Sequence, residues 1–159
     1  MASYCGFKAI CGENQYESNA NRCHKKKDAL INSRLNLFCG LHETFAQQYY
    51  STFDERNFGT LINFYNAETS LMTFEGIQIQ GAHNIMEKFN SLTFQKIQHI
   101  ITKVDCQPMF DGGILINVLG QLKTDDDPPH SFSQTFVLKP ISDTFFLQHD
   151  IFRLGIHSA

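Results

Sequence analysis

Three aspartates stand in a row at Asp125, Asp126 and Asp127, closed off by Pro128 and Pro129 in the stretch GQLKTDDDPPHSF. Turn chemistry alone favours Asp, and runs of charge are usually solvated, so a plain acidic turn is the simpler reading. Three adjacent like charges also repel, and carboxylates held ready for a basic partner are the alternative. A calcium loop is not indicated, because that needs alternating acids, a glycine and a distal Glu. His99 and Asp150 form a second candidate, since both fall in strand-like runs and could face one interior as a general acid/base pair. A lone strand histidine with a distant aspartate is more often structural. No nucleophile elbow, phosphate-binding glycine loop or HExxH accompanies them, so no catalytic residue and no cofactor is expected. Four of the five cysteines, Cys5, Cys11, Cys23 and Cys39, lie early in the chain, and their spacing fits no zinc site even with His24. Reduced thiols and no metal are expected.

The elements that would position these residues follow from periodicity. Leu35, Phe38, Leu41, Phe45, Tyr49 and Phe53 recur at steps of three or four, the apolar face of one long helix. After the polar break DERN, Phe58, Leu61, Ile62 and Tyr65 suggest a shorter second helix. TSLMTFEGIQIQG reads as two strands turning at Glu75-Gly76, and Ile85, Met86, Phe89 and Leu92 give a third helix. Four long β-rich runs follow, FQKIQHIITKV, GGILINVLGQLK, HSFSQTFVLK and DTFFLQHDIFRLGI, joined by turn-like segments at 111–113, 124–129 and 140–143. Helices first and an antiparallel meander afterwards spell an α+β fold with the helices on one face of the sheet. Phe145, Phe146, Leu147, Ile151 and Phe152 are apolar at both parities, so a partner subunit is expected on the other face.

The 159 residues suit a single core-bearing domain, and the apolar load falls on fifteen Phe with no Trp. Residues 1–33 lack periodicity and carry five Lys/Arg against three Asp/Glu; they read as a poorly ordered extension, with 34–159 as the domain. The HKKKD run within the extension reads as a solvated cluster sooner than a nuclear-localisation patch. The remainder carries eight basic against thirteen acidic residues, a poor match to nucleic acid and a better one to a basic protein. Neither a signal-peptide core nor an apolar run of membrane-spanning length is visible, so no membrane insertion is expected.

The segments FAQQYYSTFD (45–54), TFEGIQIQG (73–81), SLTFQKIQHIIT (91–102), GQLKTDDDP (120–128) and HDIFRL (149–154) closely resemble the nuclear transport factor 2 family, in order and spacing, along residues 35–158. The resemblance implies a cone: a strongly curved antiparallel sheet wrapped on three helices, with an apolar cavity at its mouth, paired through its sheet as a homodimer. It implies a binding protein and not an enzyme, one that carries the GTPase Ran in its GDP form into the nucleus. Such a carrier also binds phenylalanine-glycine (FxFG) repeats of nucleoporins, and so is found in cytoplasm and nucleus and at the nuclear pore. Carried over by position, the Ran-binding rim is Glu75, Asp125 and Asp127, and the cavity that takes a Ran aromatic side chain is Phe74, Leu92, Phe94, Ile97 and Phe152. The nucleoporin-repeat position is Phe38. Family tryptophans fall at Phe38, Phe74 and Phe145, each change losing contact area and an indole N–H. The alternatives are a divergent paralogue with other partners, such as a heterodimeric messenger-RNA export cofactor, and a small-molecule isomerase or dehydratase using the same cone.

The dimer face implied by the resemblance is Asn117, Thr135 and Ile151, where the family has methionines. An unpaired interfacial Asn costs about 1–3 kcal/mol per buried group, repeated by two-fold symmetry. A weakened dimer is the expected outcome; sedimentation showing a tight dimer at nanomolar concentration would refute it.

Overall fold

The computed structural model describes residues 40 and 43–155, which lie within a unit spanning Leu37–Ala159. The expectations for residues 1–33 and for Leu35, Phe38 and Leu41 fall outside the described residues. Residues 43–54 form helix α1, whose Ala46, Tyr49, Tyr50 and Phe53 are buried at the spacing of a core-facing stripe. The helix stops in a Schellman cap: Asn57 N–H bonds Thr52 O at 3.0 Å and Arg56 N–H bonds Phe53 O at 2.8 Å. Arg56 takes the left-handed position, φ 54°, that glycine usually fills. A short helix α2 (Phe58–Leu61), capped by the Asn57 side chain on Thr60 N–H, runs into a 3₁₀ turn, Ile62–Phe64.

Strands β1 (Leu71–Phe74) and β2 (Ile77–Gln80) form the expected hairpin, with Glu75 and Gly76 both at positive φ, as a two-residue primed turn requires. Helix α3 (Ala82–Asn90) buries Ile85, Met86 and Phe89, and Leu92 falls beyond its end. Strands β3 (Ile97–Pro108), β4 (Ile114–Thr124), β5 (His130–Ile141) and β6 (Thr144–Leu154) match the four β-rich runs. The strand order is β2-β1-β6-β5-β4-β3. One pairing departs from an antiparallel sheet: β1 lies parallel to β6, Met72 opposite Asp150 and Phe74 opposite Phe152. The sheet is therefore mixed, because the chain returns to its first hairpin through the meander instead of through a tight turn.

Curvature has identifiable sources. The register slips between Ile101 and Lys103 on β3 and at Gln148 on β6, which is passed over between the Val137–His149 and Leu138–Leu147 pairs; such bulges bend and twist the strands carrying them. Gly120 sits at a close approach, where a Cβ would lie 2.5 Å from Ile100 O and 2.7 Å from the Phe132 ring. On the concave face Ile114, Ile116, Val118, Phe132, Gln134, Phe136, Asp150 and Phe152 are buried in strict alternation along their strands. The helical aromatics pack on them, Tyr49 on Phe136 at 4.8 Å and Tyr50 on Phe132 at 5.7 Å, while Phe53 of α1 packs on Phe89 of α3 at 4.9 Å. No helix among the described residues is long and apolar enough to cross a membrane.

One charge lies in this core. Asp150 is fully buried and accepts hydrogen bonds from Tyr65 Oη (2.8 Å), Tyr49 Oη (3.1 Å) and Gln134 Nε2 (2.7 Å). Tyr50 Oη in turn donates to Gln134 Oε1 at 2.9 Å. Burial pushes the Asp150 carboxyl up from 3.8 to about 6, with the hydrogen bonds pulling the other way. The folded state thus holds this proton more tightly than the unfolded chain, so the contribution to stability grows as pH falls from about 6 towards 4. Between pH 7.5 and 4.5, wild type should gain about 2 kcal/mol relative to Asp150→Asn in urea unfolding. A wild-type-minus-variant difference that stays flat with pH would contradict the assignment.

Candidate functional site: an apolar cavity with an acidic rim

The curved sheet and the helices do not meet everywhere. Between α1, α3 and the concave face lies a cavity of about 250 Å³. Its walls include Phe74, Leu92, Phe94, Ile97 and Phe152, all five of the positions carried over from the resemblance. Phe74 and Phe152 stack at 5.0 Å, a consequence of the parallel β1–β6 register, and Phe152 continues onto Phe132 of β5 at 5.8 Å. Met72, Phe53 and Phe89 close the apolar side, while Tyr49, His99 and Gln134 bring polar groups.

The rim is less uniform than its charges suggest. Asp125, at φ 46°, uses its Oδ1 to accept from the backbone N–H of Gln95 (2.9 Å) and Lys96 (2.7 Å), while its own N–H bonds Lys96 O. That carboxylate pins the start of β3, next to Phe94 and Ile97. Glu75 is also engaged: Oε1 accepts from Leu154 N–H at 2.5 Å and Oε2 lies 3.8 Å from Arg153 Nη1. These bonds offset the left-handed backbone of Glu75, which costs a non-glycine residue about 1 kcal/mol. Asp126 and Asp127 are exposed, and neither carboxylate is used in a hydrogen bond or ion pair among the described residues.

Two basic groups stand against aromatic rings of the site. Arg56 lies over the Phe58 and Phe94 rings at 5.7 and 5.2 Å and donates to Phe94 O. Lys88 Nζ is 5.1 Å from the Phe74 ring centroid. Sequence reasoning missed both, since a cation over a ring leaves no mark in local spacing. It also paired His99 with the wrong acid. His99 Nδ1 lies 2.5 Å from Asp54 Oδ1, and His99 N–H bonds Asp54 Oδ2 at 2.9 Å, whereas Asp150 is sealed in its own network. The structure does not bring His99 and Asp150 together. Asp54, on the last turn of α1, could have been suspected only from its place one turn after Tyr50.

On the convex face, Asn117, Thr135 and Ile151 occupy one cross-strand row of β4, β5 and β6. Asn117 Nδ2 donates to Thr135 Oγ1 at 2.9 Å, which removes the unpaired amide on which the expectation of a weakened dimer rested. Ile151, Leu119 and Ile100 are each exposed on their strands.

The nuclear transport factor 2 domain model matches residues 41–154. The chain belongs to the nuclear transport factor 2 domain family. A Caenorhabditis elegans protein named "Probable nuclear transport factor 2" is 48% identical over 122 residues, 73% of this chain and 91% of that protein. Saccharomyces cerevisiae nuclear transport factor 2 is 44% identical, covering 74% of this chain and 94% of the relative. Among solved structures, nuclear transport factor 2 from Cryptosporidium parvum superposes with TM-score 0.69 at 42% identity, over 74% of this chain and 94% of that one. Within this nuclear transport factor 2 domain no cluster of His, Cys, Asp or Glu among the described residues has a metal-binding arrangement.

Charge and geometry at Asp125 can be separated by substitution. Asp125→Asn keeps an acceptor oxygen and tolerates positive φ, so it should cost a few tenths of a kcal/mol. Asp125→Ala loses two hydrogen bonds and strains the backbone, and should cost about 1–2 kcal/mol in urea unfolding. Equal losses for the two variants would show that charge, not geometry, is what Asp125 supplies to stability.

Proposed function

We propose that the chain is a nuclear import carrier that binds GDP-bound Ran through this cavity. In this reading it acts by binding and carries out no chemistry of its own. One observation carries the proposal: an aromatic-walled cavity of about 250 Å³ with a rim of carboxylates, in a chain whose relatives are named nuclear transport factor 2. An aromatic side chain of Ran enters between Phe74, Leu92, Phe94, Ile97 and Phe152, and basic groups of Ran meet the rim. This is a buried anchor surrounded by charge pairs that set orientation. The rim divides its labour. Asp127 offers an unspent carboxylate, Glu75 exchanges or shares Arg153, and Asp125 holds the loop in place.

The same reading includes binding of FxFG nucleoporin repeats, for which Phe38 is the proposed contact, and a homodimer through Asn117, Thr135 and Ile151. It places the protein in cytoplasm and nucleus, with passage through the pore. A divergent paralogue with altered partners is the second reading; the engagement of Glu75 by Arg153 favours it, since that pair must be loosened for a new cation.

A pull-down with Ran loaded with GDP or GTP decides between them. Wild type should retain Ran-GDP over Ran-GTP. Asp127→Ala should weaken retention about tenfold or more, as loss of one close interfacial charge pair does, and Glu75→Lys should abolish it. Absence of GDP-selective retention by wild type would sink the carrier reading.

A further inference from the structure

The cavity is larger than one aromatic side chain requires. An enclosed apolar cavity of about 150 Å³ accommodates a benzene ring, against about 250 Å³ here. The surplus is not purely apolar, because the His99 imidazole contributes to the lining. That side chain is only 4% exposed, and its ring is fixed by Tyr50 at 4.7 Å and by Phe53 and Phe132 at 5.3 Å each.

Asp54 fixes the chemistry of the ring as well as its position. A carboxylate only accepts hydrogen bonds, so Nδ1 carries the proton that joins it to Asp54 Oδ1. When the ring is uncharged, Nε2 is left as an acceptor. No hydrogen bond to Nε2 exists among the described residues, and no fully buried side-chain nitrogen or oxygen lacks a partner there, so Nε2 is not completely sealed, in a side chain that lines the cavity. The other deep polar groups are spent. Gln134 is shared between Tyr50 and Asp150, and Tyr49 bonds Asp150 and Tyr65. Thr124 and His130 belong to the outer ends of β4 and β5, beside the aspartate turn.

We propose that the cavity is a binding site for a small free phenol, whose ring lies among Phe74, Phe94 and Phe152 and whose hydroxyl donates to His99 Nε2. A free molecule can lie wholly inside the cavity of about 250 Å³ with its hydroxyl at His99, with no backbone to be accommodated at the mouth. The inference concerns the cavity alone and stands whether or not the protein carries Ran.

The test is titration of the protein at pH 8 with p-cresol and with anisole, isomers of one formula that differ in having a hydroxyl donor, followed by NMR. p-Cresol should bind about three- to tenfold tighter, what one net hydrogen bond supplies. His99→Phe, which retains a ring between Tyr50, Phe53 and Phe132, should bind both isomers equally. Equal binding of the two by wild type, or no binding of either, overturns the proposal without reference to any variant. Persistence of the preference in a folded His99→Phe protein overturns the role of Nε2. Tighter binding of N-acetyltyrosinamide than of p-cresol overturns the free-phenol assignment in favour of a partner's tyrosine.

Discussion

A carboxylate at the centre of an aromatic core must be surrounded by donors, and that requirement organises the whole domain. Asp150 lies on β6, and its three donors come from α1, from the segment following the 3₁₀ turn, and from β5. Tyr50 extends the set by holding the other end of the Gln134 amide. Burial also pushes the Tyr49 and Tyr65 hydroxyls far above their ordinary range, so both remain donors. A side chain missing from any of these elements leaves a buried polar group unpaired, which costs more than an absent apolar contact. The network therefore fixes the register of α1 on the sheet, where packing of many similar phenylalanine rings would tolerate slippage.

The cavity is the geometric complement of that arrangement. With α1 fixed at Asp150 and the sheet bent by two bulges and Gly120, the helices close over one part of the concave face and not the rest. The uncovered part keeps its aromatic walls because β1 and β6 are in register, aligning Phe74 with Phe152. Its entrance is shaped by two turns in unusual backbone conformations, at Glu75 and Asp125, each stabilised by the carboxylate of the residue that bears the strain. Those carboxylates have structural duties before any partner arrives, and Asp126 and Asp127 are the acids without such duties.

Most of the architecture was legible in residue patterns because it depends on periodicity. The helical stripe of Tyr49 and Phe53, the Glu75-Gly76 turn and the four long strands all leave local signals. The β1–β6 pairing did not, since it joins residues nearly eighty positions apart and a parallel neighbour has no connecting turn to announce it. The cavity wall was reached through family resemblance; spacing alone would not have separated Phe94 from any other partly buried phenylalanine. Site chemistry was least legible. His99 was noticed correctly as a titratable group in a strand, but its partner proved to be Asp54, because facing across the fold depends on the sheet's curvature. Asn117 appeared as an unpaired amide only because its neighbour Thr135 lies on the adjacent strand.

The parallel pairing of β1 with β6 also bears on how the chain reaches this state. The β1–β2 hairpin and α3 are made of neighbouring residues and can form locally, yet the edge of β1 finds its partner only in the last of the six strands. Contacts so distant in sequence slow folding, since loop-closure entropy is lost before the contact repays it. During synthesis, Met72 and Phe74 therefore have no neighbour on that side until β6 has emerged. The wall residue of the future cavity is, for that interval, an unpaired and partly apolar strand edge. Shielding it until the chain can close is a task for the cell's folding machinery as much as for the sequence.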